Sequence, residues 1–77
     1  MPHIIIKMYP GRSEEQKRLL TEEIAKDVVR IVKCPEMAVS VAIEEIAQED
    51  WPERVYKPDI LDKEMTLYQK PGYNPFA

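Results

Sequence analysis

The sequence predicts a small α+β fold: two parallel strands joined by one helix, with a further helical segment towards the C-terminus. Three observations carry this expectation. His3–Met8 (HIIIKM) is short and rich in β-branched residues, with turn signals directly after it at Pro10 and Gly11, so it reads as a strand. Residues 13–32 carry apolar side chains at helical spacing, and residues 39–46 (VSVAIEEI) alternate. Strand, helix, strand with a crossover of that length implies a parallel β-α-β unit of right-handed connection.

Each element has its own local reason. Ser13-Glu14-Glu15-Gln16 has the form of a capping box, in which the Ser13 hydroxyl accepts from the Gln16 amide and the Gln16 side chain reaches back. Acidic residues in the first turn suit the positive end of the helix dipole. Leu20, Ile24, Val28 and Ile31, joined by Leu19 and Val32, mark one apolar stripe, and Pro35 stops the helix. In the second strand Val39, Val41 and Ile43 share one face, and Ser40, Ala42 and Glu44 the other. Pro52 and Pro58 each suit a first helical turn, giving a short helix near 51–56 and a longer one near 58–69. Ile60, Leu61, Met65, Leu67 and Tyr68 supply the apolar stripe of the longer one. Residues 70–75 break it, and Tyr73 and Phe76 in the tail suggest that it lies against a partner subunit or over a pocket.

Composition narrows the function classes. The chain has 77 residues, 44% hydrophobic and 32% charged, which describes a single domain over 1–77. A domain of this size buries only about 60% of its unfolded surface, and two strands are too few to be stable alone. An obligate homo-oligomer whose further copies extend the sheet is therefore expected. The net charge of −3, with basic and acidic residues interleaved, argues against nucleic acid as a partner. No apolar run is long enough to span a membrane. No basic and apolar leader is visible, so a cytoplasmic location is expected. The single cysteine, Cys34, is expected to be a buried structural thiol. No cluster has metal-ligand spacing and no Gly-rich phosphate loop is present, so neither metal nor cofactor is expected.

The chemistry points to the N-terminus. Removal of Met1 would turn the Pro2 nitrogen from an amide into a secondary amine with a reference pKa of about 8. Burial or a neighbouring cation lowers that value and frees the lone pair, as proton abstraction beside a carbonyl requires. Pro2, the strand after it, the segment 11–17 (GRSEEQK) and the second strand after Pro35 together resemble the 4-oxalocrotonate tautomerase family over roughly residues 2–51. The longer C-terminal half, ending in KPGY, looks like the dimeric branch of short tautomerases that act on phenylpyruvate.

That resemblance implies a β-α-β subunit whose sheet is completed by oligomerisation, as a dimer rather than a hexamer. It also implies Pro2 as general base, Arg12 as the residue that binds a substrate carboxylate, and Trp51 as an aromatic wall of the pocket. Where the founding enzymes carry a second arginine, this sequence has Ser40, which offers one weaker hydrogen bond to substrate. A 2-oxo monocarboxylic acid such as phenylpyruvate therefore fits better than a dicarboxylate. The implied reaction is a cofactor-independent keto–enol tautomerisation. The alternatives are a 4-oxalocrotonate or muconate-type isomerase of aromatic catabolism, a hydrolytic dehalogenase, and a non-catalytic oligomeric module that keeps the fold. His3, the only histidine, is one residue on from Pro2, so its side chain is expected on the opposite face, at the surface or an interface. Lys7 and Tyr9 share its face and are expected to be structural.

Overall fold

The computed structural model describes residues 1–76, in two compact units: Met1–Glu45, and a second that begins at Ile46. The first unit is the expected β-α-β. Strand β1 (His3–Met8) pairs in parallel with β2 (Ser40–Glu45), in the register His3↔Ser40, Ile4↔Val41, Ile5↔Ala42, Ile6↔Ile43, Lys7↔Glu44, Met8↔Glu45. Between them runs helix α1 (Glu14–Val28). The capping box forms as the sequence implies: the Gln16 N–H donates to Ser13 Oγ at 3.1 Å, and the Ser13 N–H donates to Gln16 Oε1 at 2.8 Å.

Strand alternation divides the sheet into two faces. Ile4, Ile6 and Met8 with Val41, Ile43 and Glu45 form one, and α1 lies over it: Glu14, Lys17, Arg18, Thr21 and Glu22 border a recess floored by Val41 and Ile43. His3, Ile5 and Lys7 with Ser40, Ala42 and Glu44 form the other, on which Ile5 is 51% exposed. Among the described residues of this unit none is buried, although Ile24 and Val28 on α1 are half-buried. The unit is a half-layer awaiting a cover.

The C-terminal end of α1 departs from expectation. At Val29 the helix widens into a π-helical turn, Val29–Lys33. The wider turn shifts the angular phase of the residues that follow, and Ile31 and Val32 stand exposed, as does Leu19. Leu20, ahead of that turn, is exposed as well, so of the expected stripe only Ile24 and Val28 are half-buried. Lys33 then adopts φ +63°, the left-handed conformation that ends many helices and that glycine normally occupies, before Cys34 and Pro35 extend. Cys34 is free and half-buried.

In the second unit Trp51 leads into one π-helix, Pro52–Leu61, that contains Pro58. Two separate helices near 51–56 and 58–69 were expected; Pro58 instead lies inside the one that forms. Proline lacks an N–H and its ring clashes with the carbonyl four residues back in α geometry. The wider register, seen where the Asp62 N–H donates to the Lys57 carbonyl at 2.9 Å, avoids that alignment. Only a 3₁₀ turn, Glu64–Thr66, follows, and Leu61, Met65 and Tyr68 are exposed rather than forming a packed stripe. Ile46, Val55 and Tyr56 are the buried hydrophobic residues among those described. Phe76 meets Tyr56 edge-on, ring centroids 5.8 Å apart, so the tail is held by its own unit at that point, whereas Tyr73 is exposed.

Two substitutions test these local accounts in thermal or urea unfolding. Ser13→Ala should cost about 1 kcal/mol through loss of the cap. Lys33→Val should cost about 1 kcal/mol or more, because a β-branched residue resists positive φ, whereas Lys33→Gly should be neutral or stabilising.

Candidate active site

Pro2 sits immediately before β1, half-buried, and its carbonyl accepts from the Ser40 N–H at 3.1 Å, which continues the parallel ladder by one rung. Met1 ahead of it is fully exposed and packs against nothing. Arg12 lies on the segment between β1 and α1, exposed, at the rim of a recess of about 170 Å³ shared with Met8, Gln16, Lys17 and Leu20. Met8 is the last residue of β1 and Pro2 precedes the first, so the two side chains stand at opposite ends of the strand. At about 3.3 Å per residue, the six steps from Pro2 to Met8 span about 20 Å. One copy of the chain does not bring Pro2 and Arg12 together.

Ser40 opens β2, and its Oγ lies 2.6 Å from Nδ1 of His3, its register partner. The two share the sheet face not covered by α1. His3 thus stands where alternation placed it, and the Ser40 hydroxyl is engaged by it. Trp51 is half-buried and belongs to the second unit, at the start of the Pro52–Leu61 helix.

Charge around the Arg12 recess is organised by Lys17, whose side chain is only 16% exposed. Its ammonium lies 2.9 Å from Glu14 Oε1 and 2.9 Å from Glu45 Oε1, which ties the first turn of α1 to the end of β2. The hydrogen bond and charge of Lys17 hold the Glu14 carboxyl below its ordinary value of 4.5. The two carboxylates in turn raise Lys17 above its ordinary 10.5. Lys17 is therefore already neutralised, whereas Arg12 has no ion pair among the described residues. Of the two cations lining the recess, Arg12 is the one available to an incoming anion.

The sequence is matched by the family model described as "Tautomerase enzyme" over residues 2–52. The chain belongs to the tautomerase family. A probable tautomerase of Xylella fastidiosa (strain 9a5c) is 39% identical over 77 residues, covering 100% of this chain and 94% of the relative. Tautomerase PptA of Enterobacter sp. (strain 638) is 39% identical over 75 residues, 96% of this chain and 99% of the relative. Among solved structures, a 4-oxalocrotonate tautomerase isozyme of Methylibium petroleiphilum superposes with a TM-score of 0.61 at 33% identity, over 62% of this chain and 75% of that one.

The protein is thus a tautomerase, an isomerase of the 4-oxalocrotonate tautomerase family, with the β-α-β fold whose sheet is completed by oligomerisation. Among the described residues no helix is long and apolar enough to cross a membrane. Sequence reasoning did not single out Lys17 or the bond between His3 and Ser40. The Glu14–Lys17 spacing of three on a helix was a usable signal for half of the first. Glu45 and His3 enter only through the register of the sheet.

The Lys17 network makes a pH prediction. Glu14, with its depressed value, contributes stability that is full above pH 4.5 and is lost as pH falls through that depressed value. Lys17, with its raised value, contributes stability that is full below pH 10.5 and is lost as pH rises through the raised value. The difference in urea stability between the parent and Lys17→Met should therefore be greatest between those limits and shrink towards both extremes. A difference that stays flat with pH would contradict the network.

Proposed function

We propose that this tautomerase interconverts the keto and enol forms of a 2-oxo monocarboxylic acid such as phenylpyruvate, without a cofactor, using the Pro2 nitrogen after removal of Met1. The observation that carries the reading is the placement of Pro2. The ladder bond from Ser40 holds its carbonyl, so the nitrogen is presented from a fixed strand end, and the fully exposed Met1 can leave without loss of packing. The free amine takes a proton from the carbon beside the carbonyl, the C–H electron pair becomes the enol double bond, the carbonyl oxygen takes a proton from water, and the hydroxide left behind takes the proton from the Pro2 ammonium, which restores the free amine. In the reverse direction the ammonium of Pro2 returns the proton to carbon, so no atom is gained or lost.

The substrate carboxylate is assigned to Arg12, a guanidinium that can grip it in a two-pronged fork. Because Pro2 and Arg12 of one copy lie at opposite ends of β1, the site takes Arg12 from a neighbouring copy. A dimer is the smallest assembly that supplies it and is the assembly proposed. A cation at that position also lowers the pKa of the Pro2 amine. One available cation beside the apolar walls of Met8 and Leu20 suits a monoacid with an apolar end. Trp51 is proposed to exclude water from the site, and the cytoplasmic location expected from the sequence is part of the same reading.

The test is an ultraviolet assay of phenylpyruvate enol decay with protein whose N-terminal mass is verified. Processed protein should be active, and one uncleaved residue ahead of Pro2 should lower the rate by about 10²-fold or more, the usual contribution of a positioned base. Equal rates for the two forms would remove Pro2 from the mechanism. Arg12→Ala should lower kcat/KM by about tenfold or more, as expected for a charge-assisted contact. An unchanged kcat/KM would remove Arg12 from the site.

A further inference from the structure

We infer that Ser40 is a positioning residue for Pro2, acting through a paired grip on Pro2 and His3 rather than by touching substrate. The inference rests on the reading of Pro2 as the base. Ser40 holds two successive residues with two different groups: its backbone N–H donates to the Pro2 carbonyl at 3.1 Å, and its hydroxyl lies 2.6 Å from His3 Nδ1. The first bond fixes the peptide plane between Pro2 and His3. The second fixes the side chain of the first strand residue, at a chain end where fraying is the default.

The consequence for Pro2 is specific to proline. Its nitrogen is closed into the ring with Cα, so once that peptide plane is held, rotation about the Cα–C bond is the main freedom left to aim the lone pair. Releasing His3 loosens the plane from its far side. Misplacement of a reacting group by about 1 Å can cost up to about 10²-fold in rate.

The Ser40 hydroxyl belongs to the sheet face opposite α1, shared with His3, Ile5, Lys7, Ala42 and Glu44. The bond to His3 is open to either ring tautomer. A neutral ring with its proton on Nε2 accepts from the hydroxyl, and a ring with a proton on Nδ1 donates to the same oxygen. Lys7 and Glu44 are the other charged residues on that face and oppose each other in the register. The pair is accordingly a tether whichever ring nitrogen of His3 carries the proton.

The experiment combines enol-decay kinetics with ¹⁵N NMR of the His3 ring in processed full-length protein. Ser40→Ala should lower kcat about fivefold, the worth of one exposed hydrogen bond, with KM within about twofold. Ser40→Thr, which keeps the hydroxyl on a strand-favouring residue, should restore kcat. His3→Ala should lower kcat to the same degree, and the double variant should fall no further, because both remove one interaction. The His3 nitrogen shifts should move on Ser40→Ala and return with Ser40→Thr. A rise in KM at constant kcat would make Ser40 a substrate contact and overturn the proposal. Multiplying effects in the double variant, or His3 shifts indifferent to Ser40→Ala, would overturn it too. Parent protein inactive on 2-oxo acids, with His3 shifts that do respond, would instead overturn the reading of Pro2 and with it the role given to the pair.

Discussion

The parallel ladder between β1 and β2 is the constraint on which the rest of the structure depends. It carries Pro2 one rung before the first strand residue and holds it there through the Ser40 N–H. It also sets a rigid distance, since the strand that follows Pro2 ends at Met8, beside Arg12. A two-stranded sheet leaves both of its edges unpaired and, here, one whole face uncovered by the helix. The same geometry that makes the first unit incomplete also keeps Pro2 and Arg12, the two residues proposed for the site, apart within one copy. The proposed association of copies would answer both deficits at once, covering apolar side chains such as Ile5 and allowing a proline from one chain to meet an arginine from another.

Electrostatics around α1 reinforces this division of labour. Lys17 is spent on structure, bridging Glu14 and Glu45 and so joining the helix to the second strand. Arg12, five residues earlier, stands on an exposed segment beside Gly11, whose φ of +125° turns the chain in a way that other residues rarely adopt. Two cations border one recess, but two carboxylates already answer one of them. Arg12 is left as the cation of that recess without an ion pair among the described residues.

The parts of this arrangement that depend on nearest neighbours in sequence were legible in advance. The capping box at Ser13 and Gln16, the β-branched run of β1, the alternation of β2 and the side on which His3 falls all follow from local chemistry and simple periodicity. What escaped is whatever turns on a change of helical register. Spacing of apolar residues assumes 3.6 residues per turn, so the π-helical turn at Val29–Lys33 displaced Ile31 and Val32 from their expected face. Pro58 suits a helix start by its fixed φ, whereas a wide helix absorbs it in mid-course. The grip of Ser40 on His3 spans 37 residues, and only the strand register makes neighbours of the two.

The central claim, that the site combines Pro2 of one copy with Arg12 of another, is tested most directly by subunit mixing. Protein with a blocked Pro2 nitrogen but an intact Arg12 is combined with Arg12→Ala protein that has a free Pro2, and the subunits are allowed to exchange. Each preparation alone should be nearly inactive. Random exchange in a symmetric assembly should recover about a quarter of the parent activity, since a mixed pair rebuilds one intact site. Recovery of no activity, with exchange verified by mass, would contradict the account, because it would mean that each copy must supply both groups itself.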